Sequence, residues 1–239
     1  MSLQSRSTII ATLAGAALGG IFGAVAKLRR GKPLHPRGVV FDAVLRRTGS
    51  PVAWGVDWLD APGEDHGLVR LSRAVGLPAP IPDILGLAFT FTGPDGDRHD
   101  LLLATTGLAP GARFLLMPTL HPERSSYSSL FPYQTPRGPV LLAATPVSAA
   151  EQRGQALSFR LLAAGLVGPW REFATMDLTE RPDGAADEPL RLDPVLHVMP
   201  GLSWAQPLAR LREPAYAAAR RTPPRRPSHA VAAESVRLR

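Results

Sequence analysis

Between residue 33 and about residue 175, glycines, prolines and polar turns cut the chain into short apolar runs. Such spacing reads as a series of short strands separated by turns. The runs at 39–45, 67–72, 85–91, 100–105, 113–117, 140–144 and 159–162 have strand length, and Gly93-Pro94-Asp95-Gly96 between two of them predicts a hairpin. Regular short strands of this kind favour a mainly antiparallel sheet or barrel. Helical patterns are confined to the flanks. They occupy 146–156 and 203–221, the second interrupted by Pro207 and Pro214. Residues 180–189 read as a loop, and no internal repeat is present. The expected class is therefore α+β, a mainly antiparallel β-barrel with flanking helices and an N-terminal Gly/Ala-rich helix.

Residues 8–26 contain no charge, and 19 residues in a helix nearly match a bilayer core of roughly 30 Å. Gly15, Gly19 and Gly23 line one face of that helix, a stripe suited to close helix contact. Lys27, Arg29, Arg30 and Lys32 follow it, which is the wrong order for an export signal. If the segment enters lipid, that charge keeps the domain in the cytoplasm, at the inner face of the membrane. The alternative is a helix packed on the domain or on a partner subunit. Lys32-Pro33 and His35-Pro36 end any helix arriving from this side. The organisation that follows is an N-terminal apolar helix at 1–31, a barrel domain at 32–221, and a basic, Pro-rich disordered tail at 222–239.

Composition removes several chemistries. The chain has no cysteine, which excludes disulfides, thiolate metal sites, iron–sulfur clusters and thiol nucleophiles. Its net charge is +7, but only two of its 27 basic residues are lysine, a bias typical of GC-rich coding. The cations collect at 27–37 and after 220 rather than among aromatics, so no specific nucleic-acid partner is expected. There is no phosphate-binding loop and no nucleophile-elbow serine. Gly63-Glu64-Asp65-His66 reads as an exposed loop without a second ligand cluster. Asp95, Asp97 and Asp100 lack the later glutamate of a calcium loop. His66, His99, His121, His197 and His229 show no metal-ligand spacing and read as surface or structural residues.

Near the C-terminus, Arg212 precedes Tyr216 by four residues in Arg212-Glu213-Pro214-Ala215-Tyr216. A nearby guanidinium favours the ionised phenol, and tyrosinate is one of the few protein ligands of haem iron. A solvated helix end is the plain alternative for such a pair.

Three stretches resemble the haem catalases and their short catalase-like relatives. Lys32-Pro33-Leu34-His35-Pro36-Arg37-Gly38 is similar to the segment in which a basic residue precedes the distal histidine by three and a glycine follows it by three. Val69-Arg70-Leu71-Ser72, then Asp83-Ile84-Leu85-Gly86-Leu87-Ala88-Phe89, then Asp100-Leu101, resemble the catalase run Val-Arg-Phe-Ser, Asp-Pro-Arg-Gly-Phe-Ala, and Asp-Leu before the distal asparagine. Gly201-Leu202 leads, ten residues on, into Arg212 and Tyr216, as a similar stretch leads into the proximal tyrosine of catalases. In this order the three cover about residues 32–221.

The resemblance implies haem b, a catalase-type barrel, and an oxidoreductase acting on hydrogen peroxide or an organic hydroperoxide, with homo-oligomers open. Tyr216 would be the axial iron ligand and Arg212 would keep it ionised. His35 would move a proton between the peroxide oxygens, Ser72 would orient its ring, and Lys32 and Arg70 would pair with the haem propionates. The distal asparagine is missing. Its place falls near Ala104-Thr105, where Thr105 could donate a single hydrogen bond, so peroxidase-like chemistry is expected over fast catalase turnover. Pro36 and Pro214 are further departures, and the chain is far shorter than a full catalase. Two alternatives stay open: a membrane-associated haem-binding or sensing protein without chemistry, and a haem-free barrel that binds a lipid.

Overall fold

The structure, a computed structural model, describes residues 37–205 apart from Val75, Pro78, Ala79, Pro94, 149–156, 182–189 and Arg191. Lys32, His35, Arg212 and Tyr216 lie outside the described residues. So do the apolar segment 8–26, most of the helix expected at 146–156, most of the loop at 180–189 and the tail at 222–239.

Ten antiparallel strands form the fold: β1 (Arg37–Arg47), β2 (Gly63–Arg73), β3 (Leu85–Thr92), β4 (Arg98–Thr105), β5 (Tyr127–Ser128), β6 (Tyr133–Thr135), β7 (Gly138–Pro146), β8 (Leu157–Ala164), β9 (Arg171–Glu180) and β10 (Ser203–Trp204). Eight of them close on themselves in the order β1-β2-β3-β4-β5-β7-β8-β9, the last pairing with the first, and β6 and β10 flank the ring beside β7. Closure gives each of these eight strands a partner on both sides, though β5 covers only two residues of β4 and of β7. Helix is scarce among the described residues: one turn, α1 (Asp57–Asp60), and two short 3₁₀ turns at Ala112–Phe114 and Pro122–Arg124. The flanking helices of an α+β class are thus only weakly represented. Ser203 and Trp204, expected to open a helix, are a strand.

Side chains alternate across each strand, so every second residue faces the lumen. Phe41, Val69, Phe89, Leu101, Phe159 and Met176 are among those that fill it. Each lumen-facing apolar side chain contributes about 1.5–3 kcal/mol by leaving water. These residues form the hydrophobic core of the barrel.

One end is closed by residues 50–62, where Trp54, Val56, Trp58 and Leu59 are buried. Asp65, expected in an exposed loop, instead lies in β2 and is buried; it accepts from Arg47 Nε at 2.9 Å and from Trp58 Nε1 at 3.1 Å. The Asp60 carboxylate accepts the backbone N–H groups of Trp54 (2.9 Å), Gly55 (2.7 Å) and Val56 (3.1 Å), which folds the loop back on itself. Asp60→Ala would strand those donors and should cost about 2 kcal/mol, read as a lower urea midpoint at unchanged m-value.

The β3–β4 hairpin turns as its sequence predicts. Gly93 N–H donates to Asp97 O at 2.8 Å, and Gly96 sits at φ +82°, a conformation glycine adopts without strain.

The wall is weakest between β4 and β7. There β5 supplies only Ala104↔Ser128 and Thr105↔Tyr127 on one side and Tyr127↔Ala144 and Ser128↔Ala143 on the other. Residues 193–204 bridge the rest of this seam. Asp100 N–H donates to His197 O at 2.7 Å, while Ser203 and Trp204 pair with Gln134 and Tyr133 of β6.

Candidate functional site

Antiparallel partners directly opposite one another point to the same side of the sheet. The register therefore places Gly38, Ser72, Gly86 and Ala104 in one row across β1–β4, and Val40, Arg70, Ala88 and Leu102 in the next. Both rows face outward, since the residues between them, such as Leu71, Leu87 and Leu103, belong to the lumen core. Outward position does not mean exposure here: Arg70 and Ser72 are each only 8% exposed, and Val40 and Ala88 are buried too.

The face is low because most of its members are small, and Gly38 shows what smallness is for. A Cβ there would stand 2.9 Å from Arg70 Cζ, 2.9 Å from Ser72 Cβ and 2.6 Å from the Leu71 carbonyl oxygen. The Arg70 guanidinium thus lies down over a position where only hydrogen fits. Arg70 and Ser72, named from the sequence, come together on this surface.

Thr105 does not join them. It follows Leu101 and Leu103 on the lumen side of β4, is opposite Tyr127, and its hydroxyl accepts the Leu85 N–H at 3.1 Å. The residue of β4 that stands in the Ser72 row is Ala104, which offers a methyl group and no donor. The run Asp100-Leu101-Leu102-Leu103-Ala104 is apolar on both faces after its first residue, so alternation within the sequence could not tell the sides apart.

Two of the three tyrosines are buried in the barrel. Tyr127 is buried, donates its hydroxyl to Pro122 O at 2.9 Å, and its pKa is pushed well up by desolvation and, after that, by the charge of Glu123. Tyr133 is buried against the Trp204 ring, centroids 4.1 Å apart. Tyr216 is the third.

The described histidines do other work. His66 pairs with Glu64 at 2.8 Å on the surface, and His121 lies 3.4 Å from Glu123. His99 is buried beside Phe91, with Nδ1 2.9 Å from Val198 O, a carbonyl that can only accept. Among the described residues no three His, Cys, Asp or Glu side chains are grouped to hold a metal, and no helix is long and apolar enough to cross a membrane.

No protein-family model matches the chain, and no curated protein does. Among solved structures, the crystal structure of a fungal catalase superposes with a TM-score of 0.56 at 14% identity, over 84% of this chain and 61% of the catalase. The barrel is catalase-like. At that identity the likeness is one of fold, and the chain spans about three fifths of that catalase's length. The catalase-like barrel presents Arg70 and Ser72 on its outer face, flanked by glycine and alanine, while its lumen is filled.

Two features of the site went unread in the sequence. The first is the set of small residues Gly86, Ala88 and Ala104, whose common face appears only once three strands are in register. The second is Asp100, legible in sequence only as part of a motif and buried in the fold as an anchor for residues 193–198.

Proposed function

We propose that the protein is a haem-dependent, catalase-like oxidoreductase that acts on hydrogen peroxide or organic hydroperoxides. The observation that carries this is the low outer face of β1–β4, with Arg70 laid over Gly38 beside Ser72, on a barrel of catalase type. A planar macrocycle needs a surface without projecting side chains, and the small residues Gly86, Ala88 and Ala104 favour one. Its propionates need cations, and Arg70 supplies one at the edge of that surface.

Haem, when bound, supplies a redox-active iron at which a peroxide O–O bond can be cleaved. The chain's own residues would do the rest. Tyr216 would hold the haem iron as a phenolate, with Arg212 favouring the ionised phenol. His35, two residues before β1 in sequence, would take a proton from one peroxide oxygen and return it to the other. The Ser72 hydroxyl would hold the His35 ring in orientation, and Lys32 and Arg70 would fix the propionates. Because Ala104 cannot donate a hydrogen bond, turnover would be peroxidase-like rather than that of a fast catalase. Residues 8–26 would hold the domain at the inner face of the cell membrane.

Expression with a haem precursor should give a protein with a Soret band, and Tyr216→Phe should shift or abolish it. No band, or a band indifferent to that change, overturns the proposal. Ala104 also favours a second reading, a haem-binding or sensing protein without turnover. Peroxide consumption well above that of free haem, and lost in His35→Ala, decides against it.

A further inference from the structure

One end of the barrel holds apolar side chains out in water. Ile81, Leu115, Met117 and Leu120 are each between 38% and 49% exposed. They are half of the exposed large apolar side chains among the described residues, and Pro80, Pro82 and Pro118 beside them are exposed too. This is the end where β2 stops, β3 starts and β4 stops. Asp83 and Thr119 exchange two backbone bonds, at 3.1 and 2.9 Å, which hold residue 81 near 117–120. Leu116 packs on the core, so Leu115 and Met117, on either side of it in extended chain, turn outward.

The segments that carry them are well tied. The buried Asp83 carboxylate accepts the N–H groups of Gly76 (2.7 Å) and Leu77 (3.1 Å), and Arg73 Nη2 donates to Ile81 O at 2.6 Å. Met117 N–H donates to Thr105 O at 2.9 Å, and Ser125 Oγ donates to His121 O at 2.6 Å. An apolar patch fixed in water by such bonds marks an interaction surface. Four half-exposed side chains present on the order of 300 Å², short of the roughly 800 Å² per partner of a stable protein interface. A lipid surface needs no matching partner face. Charge points the same way. The chain joins the barrel at this end, where Arg37 pairs with Arg73, and before Arg37 the sequence has Arg6, Lys27, Arg29, Arg30 and Lys32 with no acid until Asp42. Residues 74–84 and 106–124 contain just two carboxylates. Asp83 is buried, and Glu123 lies 3.4 Å from His121 and 3.8 Å from Arg124.

We propose that this end of the barrel docks on the surface of an anionic phospholipid membrane, with Ile81, Leu115, Met117 and Leu120 entering the headgroup layer. This rests on the membrane placement proposed above and is independent of haem. Apolar side chains gain by leaving water at the acyl boundary, and the cations of the entering chain meet the negative surface.

The chain has no cysteine, so a single fluorophore sensitive to polarity can be attached at a chosen place in the full chain. Labels on Ile81→Cys and Met117→Cys should shift to the blue on vesicles of phosphatidylcholine with phosphatidylserine, and spin-labelled lipid should quench them. A label on Val52→Cys, exposed at the opposite end, should do neither. Leu115→Asp with Met117→Asp should weaken partition into the same vesicles about tenfold or more, with the melting temperature unchanged. Cosedimentation with vesicles while both labels stay unshifted overturns the docking surface and leaves the membrane placement by residues 8–26 standing. A full chain that does not cosediment overturns both. Equal shifts at Val52 overturn the assignment to this end. Shifts that appear without vesicles and grow with protein concentration assign the patch to a second copy of the chain, and the proposal fails.

Discussion

Replacing Ala104 by asparagine should raise peroxide consumption by the haem-loaded protein about tenfold to a hundredfold, the lower range for adding one preorganised donor. The position is set by the register: Ala104 pairs with Gly86, which pairs with Ser72, so its side chain leaves the sheet on the same outer face. Gly86 next to it has no side chain to obstruct a larger neighbour. Thr105→Asn is the matched control. Thr105 points into the lumen and accepts the Leu85 N–H, so an amide there enters the core and leaves turnover unchanged while lowering the melting temperature. Peroxide loss measured by absorbance or oxygen release, with melting curves for both variants, separates the two faces of one strand. Equal effects from the two substitutions would contradict the assignment of Ala104 to the site.

Arg113→Leu should cost about 3 kcal/mol and lower the melting temperature by roughly 10 °C in calorimetry. Arg113 is 1% exposed, and its described partners are carbonyls rather than a carboxylate. Nη1 donates to Gly165 O at 2.7 Å, and Nη2 donates to Leu108 O at 3.3 Å and Gly168 O at 3.1 Å, while Cζ lies 4.7 Å above the Trp170 ring. Burial lowers its pKa, since desolvation disfavours the charged form. The side chain thereby ties the turn after β4 to the β8–β9 turn, two places far apart in sequence. Leucine fills the volume but leaves the Gly165 and Gly168 carbonyls without that donor, while Leu108 O keeps the Trp170 Nε1–H at 2.8 Å. Arg113→Lys should recover only part of the loss, because one ammonium cannot span the fork.

The stretch around Arg113 also shows where apolar runs mislead. Residues 113–117 read as a strand, yet Ala112–Phe114 is a 3₁₀ turn and Leu115 and Met117 are exposed. What orders this stretch is a buried cation, which a hydrophobicity pattern scores as polar. The opposite error occurred at β9. Its outward residues Thr175, Asp177 and Thr179 alternate with Ala174, Met176 and Leu178, but charges at both ends and a bulge near Phe173 conceal the period. Likewise Gly63–His66, rich in charge, is the start of β2, its outward charges pairing with Arg46 and its inward Asp65 with Arg47. By contrast β1, β3, β7 and β8 were legible, because their apolar runs are long and bounded by turn residues.

For the site, Arg70 and Ser72 were named through the resemblance of Val69-Arg70-Leu71-Ser72 to a catalase segment, and because residues two apart on a strand share a face the fold puts both on one side of β2. Thr105 and Ala104 were not separable, since β4 is apolar on both sides.

What the sequence determined by itself was a set of short strands, their turns and therefore a mainly antiparallel sheet or barrel, because period-two alternation and turn chemistry are local properties. Only the tertiary structure decided which side of each strand is the lumen, that Ala104 rather than Thr105 stands beside Ser72, and that residues 193–204 bridge the β4–β7 seam through Asp100. Those outcomes depend on register and closure, which are set by contacts between residues far apart in the chain.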